Sequence, residues 1–151
     1  MFTANACLQE LDVRVPIPSP PSLDWVLCVL LRLFSNIVSR HLQDVHLIFE
    51  LPMACFEAAM PSTSFIYAFH AALHRRVFAS LEGQALQNED DDAPVQVAFR
   101  YGSQVIALPN EQARLSDAMR PIVICIFRPW LISGIIQIEL PDGTYVDDDN
   151  V

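Results

Sequence analysis

His70 and His74 stand four residues apart, one helical turn, the spacing at which two side chains on one helix face can share a metal ion. A structural zinc site takes four ligands and a catalytic one takes three plus water. Here the nearest acid in helical phase is Glu82, while Cys55 and Glu57 belong to a separate segment. The pair falls short of a ligand set, so no metal and no other cofactor is expected. His70 and His74 could instead act as general bases beside Tyr67 and nearby acids, which keeps a small enzyme with a His-based site as an alternative reading.

Other catalytic signatures are missing. No G-x-S-x-G elbow is present, and Gly102-Ser103 reads as a hairpin turn instead. With four glycines and no lysine, neither a dinucleotide fingerprint nor a phosphate-cradling P-loop can be written. The acidic runs Glu89 to Asp92 and Asp147 to Asp149 lack the alternating oxygen ligands and turn glycine of a calcium loop. The four cysteines, Cys7, Cys28, Cys55 and Cys125, form no C-x-x-C pair, and most lie in apolar runs where a thiol behaves as a small hydrophobe. That usage suits a reducing compartment. Trp130 follows Arg128-Pro129 in a break between apolar runs; its ring could anchor a protein interface or plug the end of a sheet.

Composition narrows the partners. The chain of 151 residues carries a formal net charge of −9 and a pI near 4.6, so phosphate backbones and anionic lipid heads are repelled, and nucleic acid is not an expected ligand. The apolar stretches Trp25 to Val38 and Ile122 to Ile138 are too short or too interrupted, by Arg32, Arg128 and Pro129, to span a bilayer. Met1 to Cys7 holds no basic residue and does not read as a secretory signal. These features point to an intracellular, cytoplasmic protein with no membrane partner. All nine basic residues are arginine, where ordinary composition would supply roughly nine lysines. GC-rich coding does not account for this alone, because twelve Ile, nine Phe and five Asn persist. Avoidance of ubiquitin-acceptor amines, or an overlapping reading frame, fits the pattern, and both point toward a viral or host-directed protein.

The elements that must position these residues follow from periodicity. Residues 1–21 read as an arm or edge strand, with Leu11, Val13, Val15 and Ile17 alternating until the prolines end it. Ser22 can cap a helix running to about Gln43, with Asp24 in its first turn. Its residues Val26, Leu27, Val29, Leu30, Leu31, Leu33, Phe34, Ile37 and Val38 cover most directions around the axis, so both of its faces need covering. Val45 to Leu51 is a strand ended by Pro52, and the segment to Met60 reads as a short helical turn bounded by Pro61. A helix beginning at Ser62 to Ser64 shows an apolar stripe at Ile66, Phe69, Leu73, Val77 and Leu81. The acidic loop from Gln87 to Ala93 follows. Val97, Phe99 and Tyr101 then alternate into the Gly102-Ser103 turn, which would pair Phe99 with Ile106 and Val97 with Leu108. Asn110 caps a helix stopped by Pro121, after which Ile122 to Phe127 and Ile135 to Leu140 read as strands. Pro141-Asp142-Gly143 turns the chain back through Thr144 to Val146, and 147–151 is expected to fray as an acidic tail.

The expected architecture is a single α+β domain over 1–151: a mixed or antiparallel sheet of five or six strands with two longer helices packed on it. The expected function is a non-enzymatic, protein-binding accessory or adaptor protein that also self-associates. Its contacts would come from Leu30, Leu33, Tyr67, His70, His74 and Trp130. A small acidic homodimeric secretion chaperone is the second alternative; length and charge suit it, and no motif stands behind it.

Overall fold

The computed structural model describes residues 9–18, 23–36, 44–52, 62–73 and 93–146. The expected elements over 53–60 and 74–92, and the tail at 147–151, lie outside them. In chain order the elements are β1 (Glu10–Pro16), α1 (Leu23–Asn36), β2 (Asp44–Leu51), α2 (Thr63–Leu73), β3 (Val95–Tyr101), α3 (Pro109–Ile132), β4 (Ile136–Glu139) and β5 (Tyr145–Val146).

The fold is α+β, built on one mixed sheet of five strands in the order β1-β2-β3-β4-β5. The first four strands are parallel and β5 is antiparallel to β4. Parallel neighbours that are consecutive in the chain need a crossover, and crossovers are almost always right-handed. Three such crossovers in one direction of strand order place their helices on one face of the sheet. Burial agrees with that layout. Val45, Leu47, Phe49 and Leu51 of β2, Val95, Val97 and Phe99 of β3, and Ile136 and Ile138 of β4 share one core with helix residues Val26, Leu27, Leu30, Phe69, Met119, Val123 and Trp130. Phe49 and Phe99 stack at 5.5 Å between ring centroids, in register across the two central strands.

Two expectations are corrected here. The Gly102-Ser103 turn makes no hairpin: Ile106 is 92 % exposed and Leu108 57 % exposed, and neither pairs with Phe99 or Val97. The reason is that β2 pairs β3 along its whole length and β4 pairs it from Val95 to Ala98, so a returning strand would have only Phe99 to Tyr101 to pair with before it met β4. Gly102 instead donates its amide to the Leu51 carbonyl (3.0 Å) and the chain bends away.

Ile122 to Phe127 is not a strand but the middle of α3, which continues through Pro121 and Pro129. The buried positions Leu115, Met119, Ile122, Ile126 and Trp130, with Ser116, Val123, Phe127 and Leu131 beside them, keep three- and four-residue spacing across both prolines. A proline costs a helix the bond to the carbonyl four residues back. Pro121 and Pro129 are both exposed, as are Asp117 and Cys125, whose carbonyls lose those donors, so water can satisfy them. The helix is capped at Leu108, not Asn110. Pro109 occupies its first turn, and Glu111 reaches back to the Leu108 amide (Oε2 at 3.0 Å), as a capping-box acid does. Gly134, at φ +68, takes the left-handed position after its end.

The Pro141-Asp142-Gly143 turn is present, with Gly143 at φ +81. It is locked to α3: the buried Ser116 hydroxyl accepts the Asp142 amide (3.0 Å), and Arg120 donates to the Thr144 hydroxyl (2.8 Å). Asp142 Oδ1 in turn accepts the Thr144 amide and hydroxyl at 3.0 and 2.7 Å. Burial pushes the Asp142 carboxyl upward, but these hydrogen bonds outweigh it and hold the group below its ordinary value.

Candidate functional site

The residues expected to meet a partner fall into different environments. Leu30 and Trp130 are buried in the core, at 1 % and 2 % exposure, and are unavailable to a partner in this structure. Trp130 lies within α3, not at the end of a sheet. Leu33 is half-buried against the core. Tyr67 is 70 % exposed on α2. His74 lies outside the described residues. His70 is half-buried, and its Nε2 donates to the Ile126 carbonyl of α3. Since a carbonyl can only accept, Nε2 carries the hydrogen. The imidazole also meets the Trp130 ring edge-on at 4.9 Å. Phe69 contacts Phe127 at 5.8 Å and Trp130 at 6.3 Å, so α2 is clamped to α3 by an aromatic cluster in which His70 supplies the polar tie.

The helix α1 also departs from expectation. Val26, Leu27 and Leu30 are buried, and Trp25, Val29, Leu31 and Leu33 pack against the same core, while Asp24, Cys28 and Arg32 are exposed. One core covers most of the directions that were expected to require a second subunit.

What the sheet presents on its other side is a surface the sequence reading did not single out. In each parallel strand the residues between the core positions point away from the helices. Register places them in rows: Glu10 beside Asp44; Asp12, His46, Gln96 and Gln137; Arg14, Ile48, Ala98 and Glu139; Pro16, Glu50 and Arg100. Tyr145 extends the third row beyond Glu139. Arg100 holds Glu139 in a two-pronged pair, Nε to Oε1 at 3.0 Å and Nη2 to Oε2 at 2.7 Å. The hydrogen bond to Glu139 raises the Arg100 pKa still further, so the guanidinium stays charged. Tyr145 donates its hydroxyl to Glu139 Oε2 at 3.4 Å, and Arg14 lies 3.7 Å from Glu50 in a looser, solvent-facing pair. The signal was present in the alternation of all four parallel strands; what it lacked was the strand order that aligns those residues into one face.

Chemically this face offers paired charges and amides on a sheet. Among the described residues, no group of three or more His, Cys, Asp or Glu could hold a metal ion, and no helix is long and apolar enough to cross a membrane. The chain matches no family model, no curated protein and no solved structure.

Proposed function

We propose that this protein is a non-enzymatic intracellular accessory or adaptor that binds another protein through the polar face of its sheet. The observation that carries this reading is the one-sided layering. Parallel sheets normally have both faces covered by helices, whereas here the strand order places the described crossover helices α1, α2 and α3 on one side. The other side is a ready surface of fixed charges around the half-buried Ile48 and the small Ala98. Its exposed corner of Glu10, Asp12 and Asp44, on a chain of net charge −9, favours a partner presenting basic residues there, by electrostatic complementarity. The absence of lysine supports a host-directed protein that persists where ubiquitin acts.

The test is affinity capture from cells with the wild-type chain, Ile48→Arg on the polar face, and Asp117→Arg on the exposed side of α3, followed by reconstitution with the purified partner. A direct partner held by wild type and Asp117→Arg and lost by Ile48→Arg is the expected result. A partner bound equally by Ile48→Arg, or lost only with Asp117→Arg, would overturn the assignment of this face.

A further inference from the structure

The outer strand β1 carries a self-complementary pattern, and we infer that two copies of this chain pair antiparallel along β1, centred on Val13, to form one continuous sheet. Among the described residues no strand lies beyond β1, while the opposite edge, β5, is two residues long.

The backbone sets the geometry first. The Gln9 carbonyl accepts the Asp44 amide at 3.1 Å, and the Ile17 amide donates to the Glu50 carbonyl at 2.9 Å. Odd-numbered residues of β1 therefore bond inward to β2, and the amides and carbonyls of Glu10, Asp12 and Arg14 point outward. In an antiparallel pair, opposed residues with facing amides exchange both bonds. Centring the pair on Val13 opposes Asp12 to the partner's Arg14, and Arg14 to the partner's Asp12, with both backbone bonds available in each. Glu10 donates to the carbonyl of the partner's Pro16, and because proline has no amide the ladder ends there.

Side chains choose the same register. Pairing must keep apolar residues on one face, so a slip of one residue is excluded. A shift to the next even register opposes Asp12 to the partner's Asp12, or Arg14 to the partner's Arg14, and like charges directly opposite destabilise a sheet. Of these registers only the Val13-centred one opposes Asp12 to Arg14 in both directions without setting any like pair directly opposite. On the helix side it sets Leu11 against the partner's Val15 and Val13 against the partner's Val13. These three side chains face the core yet remain only half-buried in one copy, because no other described strand flanks them on the outer side. Charges on an edge strand often serve to prevent pairing; alternating signs that match their own reversal do the opposite. The arrangement is isologous and closes as a dimer. Its backbone bonds use the strand's edge, while the Asp12 side chain beside the seam also belongs to the acidic corner of the polar face, so self-association is read on the purified chain alone and partner binding by Ile48→Arg.

The experiment is sedimentation velocity of the full chain over a concentration series, with circular dichroism as the check on folding. Wild type is expected to dimerise. Asp12→Arg and Arg14→Asp, both at exposed positions, each oppose like charges twice and should weaken the dimer by on the order of thirtyfold from cross-strand pair energies. Mixing these two variants should restore dimer as a heterodimer, and the double variant Asp12→Arg/Arg14→Asp should dimerise by itself. A wild-type chain that stays monomeric at every concentration would overturn the inference, as would a dimer unaffected by either single variant or not recovered in the mixture.

Discussion

Replacing His70 with alanine separates a structural tie from a chemical group. The change removes the hydrogen bond from Nε2 to the Ile126 carbonyl and the edge-on contact with Trp130. A part-buried hydrogen bond contributes about 0.5–1.5 kcal/mol net, and an edge-on ring contact about 0.5–1.5 kcal/mol beyond its area. The loss is then about 1–3 kcal/mol. For a chain of this size each kcal/mol lowers Tm by about 2–4 °C, so His70→Ala should melt about 2–12 °C lower by differential scanning calorimetry. His70→Gln, which keeps an N–H donor but no ring, should fall between alanine and wild type. If His70→Ala melts with wild type or above it, the tie between α2 and α3 is not what this residue does, and a chemical role for His70 regains its ground.

Three further outcomes test the architecture. Leu30→Glu buries a charge in the core, where Leu30 is 1 % exposed. It should cost about 3–5 kcal/mol and unfold the chain in urea titrations without first dissociating a folded dimer, whereas Leu33→Glu should be milder; equal, small effects would put α1 on the surface. Pro121→Ala restores an amide to the middle of α3 and should stabilise by about 1–2 kcal/mol, less than the full helix-interior cost of proline because the unfolded chain also gains freedom. A loss of stability would mean that 122–127 does not continue the helix. Asp142→Asn tests pH dependence. The Asp142 carboxyl is held below its ordinary value in the folded chain, so its contribution is present above the unfolded value, near 4, and is lost as pH falls through the lower folded value. The variant should be less stable at pH 7, and its difference from wild type should shrink below about pH 4; a constant difference across the acid limb would refute the hydrogen-bonded turn as its source.

Local signals were legible in the sequence wherever one periodicity governed a segment. The alternation of Val45 to Leu51, the Pro141-Asp142-Gly143 turn and the helical stripe from Ile66 to Phe69 each map onto β2, the β4–β5 turn and α2. The α+β class followed from those elements, while of the five or six strands expected, those over 122–127 and after the Gly102-Ser103 turn did not form. The absence of a motif for nucleotides was equally plain from four glycines and no lysine. Two residue types misled for a shared reason. A proline and a glycine-serine pair are turn signals taken alone, but Pro121 sits on the solvent side of a helix whose buried stripe runs past it, and Gly102 follows a strand paired with β2 throughout and with β4 as far as Ala98. Tertiary packing outweighed both local preferences.

The strand order was decided only by the folded chain, and the candidate site depends on it. Asp12, His46, Gln96 and Gln137 are spread over 126 sequence positions' worth of numbering, from residue 12 to 137, and become one row because four parallel strands align in register. No periodicity within a segment encodes which segment lies beside it. The sequence by itself determined which side of each strand is polar; only the right-handed crossovers, stacking the described helices on the other side, turned those separate polar sides into a single face.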